Sequence, residues 1–280
     1  MTKIYIFPGQ GSQSIGMGGD LFDQFYELVE QADDVLGYSV KSLCLEDPEK
    51  KLNQTDYTQP ALYVVNALTY LSKIEQTNLR PDFTAGHSLG EYNALLAAEA
   101  FDFITGLKIV QKRGQIMVKA MGGGMAAVIG MDPEKIKQVL ENSAFDTIDI
   151  ANYNSPTQTV ISGLREDIEL VKTVFENAGV RLFMPLKVSG AFHSRYMKEA
   201  RNEFANFLKQ IEFKPLKIPV IANYTAEPYQ NDETMNNMIQ QISNPVRWLE
   251  SIQYLKQQTD PEFEEIGPGN VLTRLIAQIK

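Results

Sequence analysis

Residues 86 to 92 read GHSLGEY, and Gly86 to Gly90 within them fit the pattern G-x-S-x-G. That pattern belongs to a sharp turn from a strand into a helix, which holds the serine hydroxyl out at the top of a sheet. It therefore demands a short buried strand on one side and a helix on the other. FTAG after Pro81 supplies the first, and EYNALLAAEA has the apolar spacing of the second. Taken alone, Ser88 suits a helix N-cap before an apolar stretch equally well.

The flanking chain predicts an α/β protein. KIYIF reads as a buried strand closed by Pro8 and the glycine-rich PGQGSQSIGMGG. A helix follows over 21–36, spaced by Leu21, Phe25, Leu28, Val29 and Ala32, and a second runs across QPALYVVNALTYLSKI. From about Gly124 the texture changes. MAAVIG, DPEKIKQVLENS, the two halves of TIDIANYNSPTQTVISG around Asn-Ser-Pro, REDIELVKTVFENAG and RLFMPLKVS read strand, helix, strand, strand, helix, strand. That order is ferredoxin-like. The expected organisation is a discontinuous body of residues 1–123 and 192–280 with a ferredoxin-like subdomain, 124–191, inserted in it.

A formal net charge of −9, without any run of five Lys or Arg, argues against nucleic acid as the main partner. The longest apolar runs fall far short of the roughly 20 residues a bilayer span needs, and no signal peptide precedes KIYIF. Cys44 is the only cysteine, which leaves no disulfide framework and no cysteine-based metal cluster. The expected compartment is the cytoplasm.

A serine becomes nucleophilic when a base takes its proton, and histidine is the usual base. The chain offers two, His87 and His193. Side chains of neighbours at a sharp elbow diverge, so His87 is expected to pack beside the turn. His193, in GAFHS, lies where the inserted segment rejoins the body and is free to return over Ser88. Acyl transfer also needs donors for the developing oxyanion. The Leu89 amide is one, and the PGQGSQ loop is the natural source of another. As a nucleotide loop it fails: G-x-G-x-x-G needs glycine where Ser14 stands, and the Walker pattern reaches Met17 where lysine is required.

Within LKIVQKRGQIMVKA, Lys108, Gln111, Lys112, Gln115 and Lys119 share one helical face, while Arg113 projects on the other among Gly106, Ile109, Met117 and Ala120. An arginine on an apolar face must find an anion. Either one of the 35 Asp and Glu residues pairs with it, or a substrate carboxylate does, held bidentately.

FPGQGSQ, TQPAL, GHSLGEY, the arginine of KRGQIM, FHS, NPVRW and IGPGNVLT occur in this order. Together, and across essentially the whole chain, they resemble the malonyl-CoA:acyl carrier protein transacylases. CLEDPEKKLNQTDYTQPALYVVNAL is most similar to the free-standing, trans-acting acyltransferases of polyketide synthases. The resemblance implies an α/β-hydrolase-like large domain with the ferredoxin-like insertion. It implies Ser88 as acylated nucleophile, His193 as base, the Gln10 and Leu89 amides as oxyanion donors and Arg113 as ligand of the malonyl carboxylate. It also implies that a main-chain carbonyl near Gln241 orients His193, and that Phe192 favours malonyl over methylmalonyl. No metal or redox cofactor is implied; malonyl-CoA is the co-substrate, the carrier domains of a separate synthase are the partner, and the protein is expected to be a monomer. Arg274, where many relatives have glycine, is a local departure. Two rivals remain at this stage: a hydrolase of the same fold that strips stalled acyl groups from carriers, and a non-catalytic carrier-docking module. Arg113 argues against the first, the intact Ser88, His193 and Arg113 against the second.

Overall fold

A computed structural model describes residues 1–280, the side chain of Asn231 apart. The chain begins with β1 (Thr2–Phe7), α1 (Leu21–Gln24), α2 (Tyr26–Leu36), α3 (Val40–Leu45), α4 (Thr55–Thr77), β2 (Phe83–Gly86), α5 (Gly90–Ala97) and α6 (Phe103–Lys119). It continues through β3 (Gly123–Ile129), α7 (Pro133–Glu141), β4 (Asp149–Ser155), β5 (Gln158–Leu164), α8 (Arg165–Asn177) and β6 (Leu182–Pro185). It closes with α9 (Lys198–Leu208), β7 (Val220–Ile221), α10 (Thr234–Gln241), α11 (Trp248–Lys256), β8 (Pro261–Glu265) and α12 (Val271–Ile276).

The apolar run of β1 explains the larger layer. Tyr5 and Phe7 point into the main core with α4, α5 and α6, whereas Ile4 and Ile6 join Trp248, Ile252, Leu272 and Leu275 of α11 and α12 on the opposite face. A strand covered on both faces has no use for polar alternation, which is the signature of a parallel sheet between helices. The sheet is parallel throughout, in the order β7-β2-β1-β8.

The second sheet is antiparallel, in the order β4-β5-β3-β6. Its alternation sets its place: Ala126 and Val128 of β3 pack under α8 with Ile168, Val171 and Phe175, while Met125 and Ala127 belong to the main core. The ferredoxin-like order read from the sequence is the order found. An isolated bridge between Asn152 and Val246 ties β4 to the segment leading into α11. The cleft between the two layers therefore lies over the end of β2, where the elbow is.

Some expectations are corrected. The helix predicted over 21–36 is interrupted at Phe25, whose backbone (φ −113°, ψ 41°) leaves helical geometry while its ring packs on the main core. The second helix begins earlier than its apolar pattern, at Thr55, and carries Pro60 inside it.

Candidate active site

Gly86 ends β2 and Gly90 opens α5. Between them Ser88 has φ +52°, a left-handed conformation that a side chain adopts only under constraint. The flanking glycines make the turn sterically feasible. A Cβ on Gly90 would lie 1.9 Å from the Phe7 carbonyl oxygen, and one on Gly86 would lie 2.0 Å from the Gly90 carbonyl carbon. The strain is held by hydrogen bonds from far along the chain. Asn223 staples both sides of the turn: its Oδ1 accepts from the Ser88 amide at 2.7 Å and its Nδ2 donates to the Gly86 carbonyl at 2.7 Å. The Gln241 side-chain amide donates to the Ser88 carbonyl at 2.8 Å.

His193 lies in the loop after β6, and it too has positive φ, +56°. Its Nε2 is 2.8 Å from Ser88 Oγ, and its Nδ1 is 2.8 Å from the main-chain oxygen of Gln241. A carbonyl can only accept, so Nδ1 carries the proton and the Nε2 lone pair faces the serine hydroxyl. Burial, and then the charge of Arg113, push the pKa of His193 down to about 3. At neutral pH it is therefore an unprotonated base, oriented by a carbonyl where Ser-His-Asp triads place a carboxylate.

His87 does not reach the hydroxyl. Its Nε2 pairs with Asn154 Oδ1 at 2.8 Å and its ring meets Trp248 edge-on.

Arg113 of α6 is 1% exposed. Nη1 donates to Gln59 Oε1 at 2.7 Å, while Nη2 donates to Gln241 Oε1 at 3.0 Å and to Ser88 Oγ at 3.2 Å. The guanidinium lies over the Tyr92 ring, and Nε has no protein partner among the described residues. Of the two alternatives left open by the sequence, an internal ion pair is not present among the described residues. Two neutral amide oxygens and a hydroxyl stand around the cation instead.

These groups line a cavity of about 100 Å³, bounded by Gln10, Ser88, Leu89, Arg113, Met117 and Phe192. The Gln10 and Leu89 amides donate to no protein acceptor among the described residues. Their loops touch: a Cβ on Gly9 would lie 2.3 Å from the His87 carbonyl oxygen. Gln10, Asn152 and Leu186 are shared with an adjoining groove of about 310 Å³ that runs past Asn154, Met184 and Leu272.

Sequence reasoning missed Gln59, Glu91, Asn154 and Asn223, and gave Gln241 a carbonyl but no side-chain role. Gln59 and Glu91 stand inside TQPAL and GHSLGEY, so their place in a motif was visible. Asn223, 135 residues from Ser88, carried no comparable signal.

A hydroxyl on an elbow with a neutral imidazole over it, unengaged amides and a buried cation about a cavity define a class: α/β proteins with a serine–histidine pair at the end of a parallel strand. The comparisons give the family. A model described as the acyl transferase domain matches residues 4–279, and the chain belongs to that family, among the malonyl CoA-acyl carrier protein transacylases. It is 57% identical over 277 residues to a polyketide biosynthesis malonyl CoA-acyl carrier protein transacylase of Bacillus velezensis, covering 99% of this chain and 96% of that one. A counterpart in Bacillus subtilis is 55% identical with the same coverage of 99% and 96%. The crystal structure of a malonyl CoA-acyl carrier protein transacylase from Burkholderia pseudomallei superposes with TM-score 0.97 at 48% identity, over 100% of this chain and 98% of that one. A type II polyketide synthase acyl-carrier protein in complex with its malonyl-transacylase matches with TM-score 0.95 at 36% identity, over 100% and 93%.

Proposed function

We propose that this acyltransferase moves a malonyl group from malonyl-CoA to the phosphopantetheine thiol of an acyl carrier protein, through a malonyl ester on Ser88, in polyketide biosynthesis. The observation that carries the reading is Arg113, a buried cation without an acidic partner among the described residues, one hydrogen bond from Ser88 Oγ. A malonyl carboxylate supplies the missing anion and fixes the thioester carbon beside the hydroxyl. The names of the relatives and the carrier complex of the structural neighbour support the donor and the acceptor.

In the first half-reaction Ser88 Oγ attacks the thioester carbonyl carbon and gives its proton to His193 Nε2. The oxyanion takes hydrogen bonds from the Gln10 and Leu89 amides. As the carbon–sulfur bond breaks, His193 returns the proton to the CoA sulfur. In the second, the carrier thiol gives its proton to His193 and attacks the ester; the oxygen of Ser88 leaves and recovers that proton. A bound carboxylate also offsets the charge of Arg113, the second cause of the weak basicity of His193. The base thus strengthens when a carboxylated acyl group is in place.

Phe192 forms the wall beside the malonyl α-carbon, and the groove past Asn152 and Leu186 takes the pantetheine arm. No cofactor enters either step. Residues 1–123 and 192–280 act as the catalytic body, with 124–191 walling the cleft. The reading places a monomer in the cytoplasm beside its synthase. Among the described residues no helix is long and apolar enough to cross a membrane.

Intact mass after mixing with malonyl-CoA tests this directly. One malonyl should appear on the wild type and pass to added holo carrier protein, and Ser88→Ala should gain nothing. Malonyl retained on denatured Ser88→Ala, or release to water in place of transfer, would sink it.

A further inference from the structure

Glu91 is a carboxylate 1% exposed on the first turn of α5, behind the elbow, and the chemistry above leaves it unused. Oε1 accepts from the Asn223 amide at 3.1 Å and from the Tyr229 hydroxyl at 2.5 Å, and Oε2 accepts from Gln241 Nε2 at 2.5 Å. Among the described residues no cation contacts it. Its nearest charged relation is Arg113, reached through Gln241, whose Nε2 faces Glu91 while its Oε1 faces the guanidinium. An unpaired buried carboxylate is costly, so its retention calls for an explanation.

The two residues that Glu91 grips are the ones that grip the reacting groups. Asn223 bonds the Gly86 carbonyl and the Ser88 amide, on either side of His87. Gln241 bonds the Ser88 carbonyl, Arg113 and, through its main-chain oxygen, His193. A side-chain amide has two ends that differ only in polarity. Were Gln241 turned over, its NH2 would meet the guanidinium and its oxygen the carboxylate, two repulsive contacts. The Ser88 carbonyl and the guanidinium already favour the observed orientation, and an ionised carboxylate, which purely accepts, reinforces it.

We propose that Glu91 is a positioning residue whose ionised carboxylate fixes Asn223 and Gln241, and through them Ser88, His193 and Arg113, while serving as the remote counter-charge of Arg113. This rests on the roles given above to Ser88 and His193. Protonation turns one Glu91 oxygen into a donor and so loosens its hold on the groups that donate to it, the Asn223 amide, the Tyr229 hydroxyl and Gln241 Nε2. Burial pushes the Glu91 pKa up to about 7 against the pull of its three donors and Arg113. The other titratable groups facing the cluster do not change state near neutrality. Burial raises Tyr92 of the same helix and Tyr229 of the segment after β7, Arg113 of α6 stays charged, and His193 of the loop after β6 is neutral.

The test is the rate at which a fluorophosphonate labels Ser88 from about pH 5 to about pH 9, since labelling needs nucleophile and base but no malonyl group. The wild-type rate should rise with a midpoint near 7. Glu91→Gln should lose that limb and run about ten- to a hundredfold below the wild-type plateau, whereas Glu91→Asp should recover a limb. Tyr229→Phe, which withdraws one donor from the ionised carboxylate, should move the midpoint upward, and it keeps the test sharp if Glu91→Gln does not fold. A wild-type profile without the limb, a limb that survives in Glu91→Gln, or an unmoved midpoint in Tyr229→Phe overturns the proposal. Absence of any labelling in the wild type overturns the nucleophile assignment itself, and this proposal with it.

Discussion

Arg113 separates binding from chemistry at the level of a single side chain. Its partners are neutral, so Arg113→Ala removes a charge-assisted contact to a carboxylated substrate and breaks no ion pair among the described residues. A hydrogen bond to a charged group contributes about 1.5–3 kcal/mol, so malonyl loading should fall by about ten- to a hundredfold while acetyl loading holds or rises. The ratio of kcat/KM for the two CoA esters checks this; equal losses would make Arg113 structural. Phe192, buried in the cavity wall, should in turn discriminate against a methyl branch. That methyl is worth about 1–3 kcal/mol in an apolar pocket, or about 10- to 200-fold. Phe192→Ser should narrow the malonyl to methylmalonyl ratio, and a ratio that does not move would remove Phe192 from the specificity wall. Ser88, His193 and Arg113 were legible in the sequence because each is chemically distinctive where it stands: one elbow serine, two histidines, one arginine on an apolar face. Asn223, Gln59 and Glu91 were not. Their roles consist of hydrogen bonds across 54 to 150 residues of chain, and such polar groups carry no local sign of which partner they will meet.

At the scale of elements, what was readable was periodicity. The unbroken IYIF run predicts a buried strand, and the succession of strand-like and helix-like segments from Gly124 onward predicts the ferredoxin-like order. β8 was not readable as a strand: in PEFEE only Phe263 packs on apolar neighbours, and the pairing comes from β1 rather than from its own pattern. The elbow was readable because sterics demand its glycines. Gly90→Ala would bring a Cβ to 1.9 Å from the Phe7 oxygen and 2.9 Å from the Pro8 oxygen, both backbone atoms that cannot rotate away. β1 and α5 must then separate. The expected cost is about 1–3 kcal/mol, as for other overpacked sites, with a lowered melting temperature and a loss of fluorophosphonate labelling greater than the stability loss explains. A variant that melts and labels like the wild type would show that the approach of α5 to β1 has slack.

For the molecule as a whole, the site couples to folding through two buried groups of opposite sign. Glu91 has its folded pKa raised from an ordinary 4.5 to about 7, so the folded chain binds its proton more tightly than the unfolded chain. Its contribution to stability is fully present below about 4.5 and is lost as pH rises through about 7. His193 is lowered from 6.5 to about 3, so its contribution is present above about 6.5 and is lost as pH falls toward 3. Between 4.5 and 6.5 the two slopes oppose one another, each at most about 1.4 kcal/mol per pH unit. Removing one should expose the other. Melting of Glu91→Gln should therefore gain on the wild type as pH rises from about 5 to about 7 and then keep a constant difference. Hydrogen bonds lost in the variant shift that difference by an offset, not a slope. A difference independent of pH would place the Glu91 ionisation in its ordinary range and remove the limb expected in labelling. If both slopes appear, ionising Glu91 weakens the fold over the same interval in which it aligns the elbow, the imidazole and the guanidinium. Stability is then given up for the geometry of the site, as in other proteins that keep a costly charge where they react.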